Sequence, residues 1–148
     1  GAGASLEEIV GEYIVDIGYD TFEPRAGDVV KFDFTLWNKD RTDFPEITGV
    51  WFRIAPENKP GIVLAGQLGI PEFGPVGISY AFTETGNYTL TARYMNKDVT
   101  LAEATFPFTV GMNQRAARGM WTQYSAPTFV GLLIGLLMGF IFFKKNKF

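Results

Sequence analysis

The sequence predicts an all-β domain, an antiparallel β-sandwich of about seven strands, followed by one C-terminal transmembrane α-helix. Three observations carry this expectation. Short runs with apolar residues at every second position recur between Gly11 and Val110, and Gly, Pro and Asn clusters punctuate them. No helical period is visible before residue 111. Beyond it, 126–143 (APTFVGLLIGLLMGFIFF) carries no charge. At a rise of 1.5 Å per residue this stretch makes about 27 Å of helix, the thickness of a bilayer's hydrocarbon core.

The strands follow in order. Tyr13, Val15, Ile17 and Tyr19 alternate with Glu12, Ile14, Asp16 and Gly18. Glu23 to Asp28 is a turn, because Pro24 presets φ and Gly27 tolerates positive values. Val30, Phe32, Phe34 and Leu36 then alternate with Lys31, Asp33, Thr35 and Trp37, the clearest strand in the chain. A polar loop (NKDRTDFPE) leads to Val50, Phe52 and Ile54, which alternate with Gly49, Trp51 and Arg53. After a turn at Pro56 to Gly61, a short apolar strand covers Ile62 to Leu68. Gly69 to Gly77 (GIPEFGPVG) is too rich in Gly and Pro to join a ladder and reads as a loop. Ile78, Tyr80 and Phe82 share one side, and Tyr88, Leu90, Ala92 and Tyr94 form the next strand. The last runs from Val99 to Val110, where Pro107 removes a donor and so predicts an edge or a bulge.

The chain therefore divides into an N-terminal segment (1–9), the sandwich (10–110), a juxtamembrane linker (111–125), the helix (126–143) and a basic tail (144–148). Lys144, Lys145 and Lys147 mark a cytoplasmic stop, and Trp121 and Tyr124 anchor the opposite headgroup layer. This places the N-terminal domain on the extracytoplasmic side of the cytoplasmic membrane. That orientation needs translocation, and the small residues of GAGAS resemble the end of a signal sequence, so a removed signal peptide is expected. Gly131, Gly135 and Gly139 recur every four residues on one helix face. In lipid, such spacing lets a second helix approach closely, which predicts packing against another helix, either its own copy or, in preference, that of a larger integral membrane partner.

Charge and composition exclude several classes. Thirteen basic residues less the three terminal lysines, against sixteen acidic ones, leave about −6 on the outer portion, which excludes nucleic acid as a partner. The chain has no cysteine and no histidine. Nucleophilic catalysis loses its usual bases, copper loses its usual ligands, and neither an enzyme, a cofactor nor a metal centre is expected. Met95, Met112 and Met120 are candidate Cu(I) ligands, but methionine near a bilayer more often fills apolar space. Asp40, Asp43 and Glu46 share one loop, where a solvated turn is the simpler reading than an acid/base pair. Asn87-Tyr88-Thr89 is a glycosylation sequon. Trp37 and Trp51 fall on strand faces opposite the Phe-rich core, and Phe73 sits in the Gly/Pro loop. Aromatics so placed predict a protein interface, unless a segment such as Ser5 to Val10 covers them.

Several of these motifs resemble known domains. Phe22-x-Pro24-x-x-Gly27-Asp28, then Tyr80-x-Phe82-x-Glu84-x-Gly86-x-Tyr88, then Phe106-x-Phe108-x-Val110 resemble the immunoglobulin-like and cupredoxin-like sandwiches of prokaryotic envelope proteins. The YtkA-like and FixH-like groups are the nearest. Gly86-x-Tyr88 resembles the tyrosine corner of immunoglobulin-like domains, whose hydroxyl bonds back to nearby backbone. The architecture of ectodomain, single span and basic tail also resembles accessory subunits of the eukaryotic translocon. These resemblances imply a non-catalytic accessory subunit of a membrane complex, or alternatively a YtkA-like carrier of copper or a small ligand.

Overall fold

A computed structural model describes residues 3–113. The expected transmembrane helix lies outside the described residues. So do its glycine face (Gly131, Gly135, Gly139), the anchors Trp121, Tyr124, Lys144, Lys145 and Lys147, and most of the linker. Among the described residues no helix is long and apolar enough to cross a membrane. The chain divides into two units, Gly1–Gly111 and Met112–Phe148. Of the second, only Met112 and Asn113 are described.

The described residues form eight strands: β1 (Ala4–Val10), β2 (Tyr13–Tyr19), β3 (Val29–Asn38), β4 (Gly49–Pro56), β5 (Leu64–Gly69), β6 (Val76–Ala81), β7 (Gly86–Asn96) and β8 (Val99–Val110). They make two antiparallel sheets, ordered β1-β2-β3-β6 and β5-β4-β7-β8. The alternation visible in the sequence becomes burial. Val15, Ile17, Val30, Phe32 and Phe34 of one sheet face Phe52, Ile54, Leu90, Tyr94, Phe106 and Phe108 of the other in one core. Phe32 lies across the interlayer space, with its ring centroid 5.6 Å from Phe52 and 5.5 Å from Phe108. Each such buried side chain contributes about 1.5–3 kcal/mol relative to exposure.

Three expectations change. Gly69, Val76 and Gly77, expected in a loop, pair in β5 and β6, which leaves the loop at 70–75. The strand count is eight rather than about seven, and Ser5 to Val10 is no cover for the tryptophans. It belongs to β1, which pairs with β2 from Ala4↔Tyr19 to Val10↔Tyr13. Its alternation was obscured because Glu7, Glu8 and Ile9 are all exposed on an edge strand with little to bury. Gly11, at φ 60°, opens the two-residue turn that sets this hairpin's register. At the other end of the chain, β8 is the edge expected of a strand holding Pro107, and the irregularity in its pairing falls elsewhere, at Tyr94/Met95.

Local hydrogen bonds define the two ends of the sandwich. At one end Tyr88 donates its hydroxyl to the Glu84 carbonyl at 2.7 Å, the bond expected of a tyrosine corner. Gly86 enables this turn at φ 154°, which L side chains rarely adopt. Gly111 is held at the same end, donating to the Pro24 carbonyl at 2.8 Å and accepting from Ala26 at 2.9 Å. The far end carries the β3–β4 and β5–β6 loops. There Thr48 donates to the Met95 carbonyl at 2.7 Å and its hydroxyl accepts from the Lys97 amide at 2.6 Å, pinning the long loop to the β7–β8 turn.

Candidate partner-docking surfaces

The three aromatic candidates do not form one patch. Trp37 projects from the outer face of the first sheet and Trp51 from the outer face of the second, so the whole sandwich separates them. Phe73 lies in the β5–β6 loop at the far end and is 85% exposed. The three therefore do not lie on one face of the sandwich.

Trp37 is half-buried because the β3–β4 loop folds back over it. Phe44 of that loop tilts against its indole at 4.4 Å between centroids. Its indole N–H donates to Asp16 Oδ2 at 3.3 Å on the neighbouring strand. The loop is closed by Asn38 N–H on the Asp43 carbonyl at 2.9 Å and by an ion pair between Arg41 and Glu7 of β1. Burial pushes the Asp16 carboxyl above its ordinary pKa, and the Trp37 bond only partly counters this. The exposed apolar surface here is Phe44, not Trp37: its side chain is 57% exposed. Sequence reading passed over Phe44 because it sits among charged loop residues, although Phe followed by Pro in a polar loop was the available signal.

Trp51 is likewise half-buried. The Arg93 guanidinium lies 4.9 Å over its ring, and Arg93 pairs in turn with Glu103 at 3.3 Å. Trp51, Arg93 and Glu103 are cross-strand neighbours on β4, β7 and β8, so the register itself lines up this row. The indole is covered from within the domain, by a cation rather than by a loop.

The other polar candidates are absorbed locally. Asp40 Oδ1 accepts from the Thr42 hydroxyl at 2.7 Å and the Thr42 amide at 3.1 Å, which hold its carboxyl below the ordinary range. Asp43 accepts from the Phe44 amide at 2.8 Å. These are turn bonds within the β3–β4 loop. A polar concavity of about 430 Å³ is lined by Glu12, Asn38, Lys39 and Asp40. Asn87 stands on β7 with its side-chain oxygen accepting from the Thr109 hydroxyl at 2.9 Å. Met95 is the penultimate residue of β7. Among the described residues no group of three or more His, Cys, Asp or Glu is placed to hold a metal ion.

Exposed apolar residues at the far end include Ile9 beside the β1–β2 turn, Val99 at the β7–β8 turn, and Phe44, Ile70 and Phe73 on the β3–β4 and β5–β6 loops. No protein-family model, curated protein or solved structure matches this chain.

Proposed function

We infer that the chain is a non-catalytic accessory subunit of a membrane protein complex, with an immunoglobulin-like sandwich outside the cytoplasmic membrane. The observation that carries this reading is the uncharged apolar run 126–143 followed at once by Lys144, Lys145 and Lys147. A bilayer span ending on lysines orients the sandwich outward, and the Gly131/Gly135/Gly139 face seats the span on a partner helix. The described domain supports the same reading. The turn holding Gly111 sends the chain out at one end, and the opposite end presents Phe44, Ile70 and Phe73 on two loops. A domain held at its base with apolar loop tips at its far end suits docking on the outer part of a larger membrane protein. The tyrosine-corner bond supports the immunoglobulin-like assignment over the cupredoxin-like one.

Gentle detergent extraction followed by native mass measurement tests the reading. Co-migration with a larger membrane protein is expected, and Gly131→Leu with Gly135→Leu is expected to release the chain. A wild-type chain that runs alone or as a homodimer overturns the reading.

A further inference from the structure

We propose that the free edge of β5 is a docking site for an extended strand of a partner protein, one that carries a carboxylate on its outer face. The proposal deepens the accessory-subunit reading and rests on it only for the biological role of the partner.

β5 closes one side of its sheet, so one of its backbone edges has no ladder partner among the described residues. Ala65, Gly66 and Gln67 are exposed, and a Cβ added at Gly66 or Gly69 would meet nothing within 4 Å. Natural sheets guard such edges with charge, proline or bulges. The β1 edge carries Glu7 and Glu8, and the β8 edge carries Glu103 and Pro107. β5 (LAGQLG) carries none of these. β6 is also uncharged and borders Asp33, whose Oδ1 is buried without a partner, but Gly77 packs against that oxygen, whereas β5 lies beside a half-buried cation with open space over its glycines.

That cation is Arg53. It pairs with Ala65 in the β4–β5 register and, like Trp51, projects from the outer face. Its Nε is buried with no hydrogen-bond partner, and among the described residues its guanidinium has no ion pair. Ala65 is all that stands between Arg53 and the open edge. A strand added to β5 would lie two strand spacings from β4, roughly 9–10 Å away. Arg and Glu side chains reaching towards each other over an alanine span that distance. A partner strand with Glu opposite Ala65 would complete the ladder and supply the missing charge together.

A second copy does not satisfy the site. Two β5 strands paired antiparallel bring no acid, since LAGQLG has none, and both Arg53 side chains stay unpaired. Such a pair would also point the two Gly111 ends in opposite directions, against anchorage in one membrane. The fitting occupant is therefore a different protein's extended segment whose one charged side chain is a carboxylate. Its termini would meet Ile62 and Val63 at one end, and Ile70 and Phe73 at the other.

The test is an NMR titration of the isotope-labelled full chain in detergent with a capped heptapeptide, Thr-Val-Thr-Glu-Thr-Val-Thr. The control peptide has lysine in place of glutamate. Saturable binding with shifts centred on Ala65 to Leu68 is expected, with the lysine peptide about ten-fold weaker. Arg53→Gln should abolish that preference. Successive amides of an edge strand face opposite sides, so of Ala65→Pro and Gly66→Pro one removes an outward N–H. That variant should keep its thermal stability and lose the peptide. No saturable binding, equal affinity for both peptides, or shifts centred on β1, β6 or β8 overturns the proposal. If Arg53→Gln and the stable proline variant also leave a native complex intact, the strand site falls while the accessory reading stands. A wild-type chain extracted alone sinks the accessory reading, and the titration still decides the strand site.

Discussion

Tyr94 of β7 donates its hydroxyl across the core to the backbone carbonyl of Asp16 on β2, at 3.1 Å. The two residues are 78 positions apart and belong to different sheets. The Tyr94 side chain is fully buried, so this bond ties the layers together where water cannot substitute. The side chain of the same Asp16 holds the Trp37 indole on the outer face. One β2 residue thus links the interlayer bond to the covered tryptophan.

Tyr94→Phe is expected to cost about 1–2 kcal/mol in urea unfolding, because a buried carbonyl loses a partner. Burial also pushes the Tyr94 hydroxyl far above the ordinary tyrosine value of 10.0. The unfolded chain therefore releases this proton first, and stability falls above that pH by up to about 1.4 kcal/mol per pH unit. The phenylalanine variant should show a shallower alkaline loss. Identical slopes above pH 10 would refute the assignment.

Asp16→Asn separates charge from geometry, since asparagine still accepts from the Trp37 indole. The Asp16 pKa is raised in the folded state, so the folded form holds its proton longer than the unfolded one. Wild-type stability from this group is greatest at low pH and falls as pH rises from the unfolded carboxyl value through the folded one. The variant should gain on wild type across that interval and hold the gain at pH 7. Denaturant curves between pH 3 and 7 check this, and a difference independent of pH would contradict it.

The Arg93–Trp51 contact should appear as a coupling energy. A double-mutant cycle with Trp51→Leu and Arg93→Ala is expected to give about 0.5–1 kcal/mol, the range for a partly exposed cation over an aromatic face. Arg93→Ala should also raise the exposure of the Trp51 indole to acrylamide quenching. A coupling near zero would make the stacking incidental.

Gly77→Ala probes the β6 edge. A Cβ there would stand 2.7 Å from the Phe32 carbonyl oxygen and 2.9 Å from Asp33 Oδ1, and the first belongs to backbone that cannot step aside. A loss of about 1–3 kcal/mol is expected. Gly66→Ala meets no neighbour and should stay within about 0.5 kcal/mol of wild type. Comparing their melting temperatures checks both.

Most strands were legible because alternation is local: Val30, Phe32, Phe34 and Leu36 announce a buried face without reference to any partner. The Gly86-x-Tyr88 turn was legible for the same reason, its bond reaching only to Glu84. β1 was not, since Glu7, Glu8 and Ile9 on an exposed edge leave no period to read. The outward direction of Trp37 and Trp51 also followed from alternation. Their placement on opposite sheets, the Phe44 and Arg93 covers, and the position of Arg53 beside an open edge did not. Which sheet a strand joins depends on pairings such as β3 with β6 and β4 with β7, between residues distant in the chain. Those pairings are chosen by how the whole core packs, and no local period records them. By itself the sequence determined what most strands bury and that 126–143 is an uncharged apolar run. The tertiary structure decided which side chains meet and which edge stays open, because only the closed core brings distant strands to one register.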